Sequence, residues 1–92
     1  MSPTIIIAHR DGRGEDRVIE GLPPSSTSAE LLTVARRHAA RLRRTHVVLI
    51  WEPRVPEDDT HPSLNGDWSR VYASGRWTSI SPQTLLRLGV SI

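Results

Sequence analysis

The chain predicts a two-layer α+β domain: a mixed four- to five-stranded sheet packed on one main helix, in the order β-β-α-β-β-β-α. Three observations predict it. Two apolar, β-branched runs, Thr4–Ala8 and Thr45–Trp51, are long enough for strands and too short for buried helices. Between them, residues 27–44 repeat apolar side chains at helical spacing. Beyond them, Trp68–Ala73 and Arg76–Ile80 flank Ser74-Gly75, the pattern of a hairpin. Ninety-two residues are enough for one hydrophobic core, so residues 1–92 are read as a single domain.

Each element has a local reason. After the strand Thr4–Ala8, the segment Asp11-Gly12-Arg13-Gly14 signals a turn and Arg17–Glu20 offers a return strand. The Gly-Pro-Ser-rich stretch 21–26 then breaks regular structure. Thr27 is placed to cap a helix, and Glu30 three residues later completes a capping box. At 100° per residue, Leu31, Leu32, Ala35, Ala39 and Leu42 share one side of that helix, with His38 at its edge. Arg36, Arg37, Arg41, Arg43 and Arg44 fall on the other side, and arginines late in a helix suit its dipole. Thr45–Trp51 is apolar without alternation, as expected of a central strand covered on both faces. Residues 52–67, with three prolines and Asn65-Gly66, read as an unusually long loop. Ser81-Pro82 opens a short final helix that Gly89 stops.

The two most apolar strands, the first and third, are expected to lie centrally and parallel, joined through the helix by a right-handed crossover. This order of elements resembles the ubiquitin-like β-grasp. The resemblance is one of topology only. The terminal Gly-Val-Ser-Ile lacks the Gly-Gly tail of conjugated members of that family.

All twelve basic residues are arginine, and the net charge is +2. Residues 1–51 carry +3, residues 52–67 carry −4 and residues 68–92 carry +3, so an acidic connector separates two basic segments. The absence of cysteine excludes disulfides, thiolate metal sites and cysteine nucleophiles, and the absence of lysine excludes Schiff-base chemistry. No signal peptide and no apolar stretch of membrane-spanning length is read, so a cytoplasmic protein is expected.

No cofactor motif, catalytic motif or metal-ligand spacing is present: His9, His38, His46 and His61 include no helical i, i+4 pair. Contact with a partner is therefore the expected mode of action. The expected contact residues are Arg36, Arg37, Arg41 and Arg44 on the helix, with Trp68, Arg70, Tyr72, Arg76 and Trp77 on the second hairpin. Trp, Tyr and Arg are the side chains enriched at interface hot spots. The acidic loop, with Glu57, Asp58, Asp59, His61 and Asp67, is a third surface. The function expected is a non-enzymatic protein-interaction module: an adaptor, accessory or inhibitory protein. A nucleic-acid binder using the helix arginines on phosphates is the alternative. A small ribonuclease or hydrolase using His9 or His61 is a second. No membrane partner is expected, and a strand edge left open by the second hairpin offers a route to a homodimer.

Overall fold

The two apolar runs pair with each other at the middle of the sheet. A computed structural model describes residues 3–19, 22–23, 25–53 and 66–90. Its elements are β1 (Thr4–His9), β2 (Glu15–Ile19), α1 (Ser28–Arg41), β3 (His46–Pro53), β4 (Gly66–Val71), β5 (Trp77–Ser79) and α2 (Pro82–Arg87). The α+β class, the five strands and the main helix packed on the sheet are as the sequence predicts.

The strand order is β2-β1-β3-β4-β5, and every neighbouring pair is antiparallel. This corrects the mixed sheet with parallel β1 and β3, and with it the β-grasp arrangement. The reason is a count of reversals. The hairpin turns β2 back along β1, α1 runs the length of the sheet once more, and β3 therefore begins at the end where β1 stops. His9 consequently lies opposite His46, and Thr4 opposite Trp51.

Alternation along the strands divides the core into two faces. Ile5, Ile7, Val48, Ile50 and Val71 point to one side, where Leu31, Ala35 and Ala39 of α1 cover them. Ile6, Ala8, Val47, Leu49, Trp51 and Trp68 point to the other, where Leu85 of α2 and Val90 close over them. The short α2 thus adds a partial third layer to the expected two. Leu31 and Leu85 are almost wholly buried, each contributing roughly 1.5–3 kcal/mol.

Helix α1 starts as the sequence implies. The Glu30 backbone N–H donates to the Thr27 hydroxyl at 3.2 Å, and that hydroxyl donates to Glu30 Oε1 at 3.1 Å. It ends earlier than expected: Leu42 is extended (φ −78°, ψ 146°), so Arg43 and Arg44 leave the helix. Leu42 packs against the core cluster beneath α1, and His46 N–H bonds the Arg43 carbonyl at 3.1 Å as the chain enters β3.

Candidate functional site

Antiparallel pairing gathers the C-terminal end of β1, the starts of β2 and β3, the end of β4 and the last turn of α1 at one end of the sheet. Arginine collects there. Arg10, Arg43, Arg44 and Arg70 line an open cavity of about 100 Å³, together with Ala39, Leu42, His46 and Tyr72. One water needs only about 10–15 Å³, so the space admits an anion the size of a phosphate group. Backbone bonds fix its walls: Arg10 N–H donates to the Thr45 carbonyl at 2.8 Å, and Tyr72 N–H to the Arg76 carbonyl at 2.8 Å.

Among the described residues no ion pair engages Arg43, Arg44, Arg70 or Arg76. Arg70 and Arg76 instead lie over the Tyr72 ring, 4.6 and 4.9 Å from its centroid. The Arg70 Nε–H is buried and has no acceptor among the described residues.

The expected contact residues fall into several environments. Arg36 Nε donates to the Gly75 carbonyl at 2.8 Å, joining the helix to the second hairpin, so two surfaces inferred separately are contiguous. Arg37 is exposed, and among the described residues no ion pair engages it. Arg41 lies on the other flank of α1, where Arg17 Nη2 approaches His38 Nδ1 at 3.4 Å. Partial burial, then the charges of Arg17 and Arg41, hold the His38 imidazole below its ordinary pKa. Trp68 is a correction: at 6% exposure it belongs to the core beside Trp51, its partner in register, and is not a contact residue. Trp77 is 49% exposed and borders a second cavity of about 190 Å³ with Ser28, Leu32, Ile50, Glu52 and Ser69. In the acidic segment, Glu57, Asp58, Asp59 and His61 lie outside the described residues, whereas Asp67 stands opposite Glu52 at the far end of the sheet.

A second group forms beside the arginine cavity. His9 and His46 face each other with ring centroids 4.5 Å apart and planes inclined at 43°. The register between β1 and β2 slips at Ile7/Ala8, pairing Ala8 with Glu15 and leaving Asp16 as the extra residue of a bulge. Its carboxylate turns to the two rings: Asp16 Oδ1 is 3.5 Å from His9 Nε2, and Oδ2 is 3.8 Å from His46 Nε2. Spacing along the chain does not reveal this group, because it depends on the antiparallel register.

No helix of the described residues is long and apolar enough to cross a membrane. Comparison of the chain with protein-family models, with curated proteins and with solved structures finds no match in any of the three.

Proposed function

We propose that the arginine-lined end of the sheet binds the phosphate backbone of a nucleic acid. The observation that carries this reading is that Arg10, Arg43, Arg44 and Arg70 line one cavity, with no acid among its lining residues. Guanidinium groups recognise phosphate oxygens through paired N–H donors, and such contacts are tolerant of sequence. The reading concerns binding alone. Mobility shift with a labelled single-stranded RNA tests it: Arg43→Glu/Arg44→Glu abolishes the shift, while Arg37→Glu on the outer flank of α1 weakens it only slightly. Equal effects of the two variants would assign the binding to general positive charge and remove the cavity from the account.

One observation favours a second reading, a protein-interaction module. Trp77 stands half-exposed beside the groove formed with Leu32 and Ile50. An aromatic residue beside an apolar groove is the usual anchor of a protein contact. A partner captured by wild type and lost with Trp77→Ala, in material freed of nucleic acid by nuclease treatment, would support this reading over the first.

A further inference from the structure

We propose that His9, Asp16 and His46 form a binding site for a divalent transition-metal ion, zinc foremost. Two imidazoles and one carboxylate are a donor set suited to zinc and to ferrous iron, nickel or cobalt. Their three ligand atoms lie within 4.8 Å of one another. Zn–N and Zn–O distances of about 2.0–2.1 Å place tetrahedral ligand atoms about 3.4 Å apart. The separations, 3.5 Å from Asp16 Oδ1 to His9 Nε2 and 3.8 Å from Asp16 Oδ2 to His46 Nε2, are within half an ångström of that spacing.

The site is built into the sheet. His9 and His46 are register partners at the ends of two central strands, and their backbones are pinned by His9 N–H to the Gly14 carbonyl at 2.9 Å and His46 N–H to the Arg43 carbonyl at 3.1 Å. The bulge in β2 exists at the one position that turns Asp16 to the pair. His46 also has an outer partner: Nδ1 lies 2.9 Å from the Thr45 hydroxyl. With Nδ1–H donating to that oxygen, the lone pair stands on Nε2, which is buried and has no hydrogen-bond partner among the described residues. This is the outer-sphere arrangement that orients metal-bound histidine. The His9 and His46 side chains keep 20% and 19% of their surface exposed and Asp16 keeps 51%, so an ion can enter from solvent. Three protein ligands leave a fourth position for water or an anion. His46 is also part of the arginine cavity wall, so that position and a bound phosphate would be neighbours.

The inference does not depend on nucleic-acid binding, and its test reads the metal directly. Tag-free protein stripped with chelator is titrated with Zn²⁺ by calorimetry and with Co²⁺ by visible absorption. One equivalent is expected to bind, with the intense d–d bands of four- or five-coordinate cobalt. Loss of an outer-sphere partner weakens metal sites roughly 10–100-fold, so loss of a ligand in His46→Ala or Asp16→Asn is expected to cost at least as much. Asp16 is exposed, and circular dichroism of Asp16→Asn keeps the test valid should His46→Ala unfold. His38→Ala is expected to bind as wild type does. No saturable binding at micromolar Zn²⁺, octahedral cobalt spectra, or equal affinity in wild type and Asp16→Asn would each overturn the site.

Discussion

Gly89 has φ 71°, a left-handed conformation, and its Cα faces the backbone of the β1–β2 loop so closely that a Cβ would strike the Gly12 carbonyl oxygen. The neighbouring Leu88 carbonyl accepts the Gly14 N–H at 3.0 Å. Gly89→Ala is therefore expected to lower unfolding free energy by more than about 1 kcal/mol in urea titration, through both strain and contact. An unchanged midpoint would mean that α2 does not rest on that loop. His38 carries a pH effect of definite sign. Its pKa is lowered in the folded state, so below about 6.5 the unfolded chain takes up more protons than the folded one, and stability falls as pH falls through that region. His38→Gln is expected to lose less melting temperature than wild type between neutral and mildly acidic pH. An identical pH profile for the two proteins would contradict the crowding of His38 by Arg17 and Arg41.

At the scale of elements, capping and alternation were legible in the sequence, and relative strand direction was not. Thr27 caps α1, Ser81 caps α2 with Pro82 in its first turn, and the β4–β5 hairpin lies where Ser74-Gly75 placed it. Thr27→Ala is expected to cost roughly 1 kcal/mol of stability, measured by chemical denaturation. Leu31→Ala, beneath the middle of the sheet, is expected to cost roughly 2–5 kcal/mol. The apolar runs ending at His9 and beginning at His46 identify two central strands in either orientation. Apolar content does not distinguish parallel from antiparallel; only counting one hairpin and one helical return does. That count decides the site, because a parallel pair would place the two histidines at opposite ends of the sheet. Helix α1 also stops short of the span its periodicity implies. Arg43 and Arg44 fit the polar side of an ideal helix, but periodicity does not register that the chain turns extended at Leu42 to enter β3. Asp16 was invisible because a single-residue bulge leaves no compositional trace.

Across the whole molecule, arginine is concentrated at one end of the strand axis, where Asp11, Glu15 and Asp16 of the β1–β2 hairpin also lie. Arg10, Arg43, Arg44 and Arg70 surround the cavity at one end, and Glu52 and Asp67 pair in register at the other. A net charge of only +2 therefore conceals an uneven distribution of arginine, which sequence-averaged charge does not show. The sheet, covered by α1 on one face and α2 on the other, fixes the strand ends from which that cavity is built. The most direct measurement of this account is the salt dependence of single-stranded RNA binding by wild type and by Arg43→Ala/Arg44→Ala, followed by fluorescence anisotropy. Each phosphate contact contributes about −0.7 to the slope of log affinity against log salt. The account predicts a steep slope for wild type and one shallower by about 1.4 for the double variant. Equal slopes for the two proteins, or a wild-type affinity indifferent to salt, would contradict it.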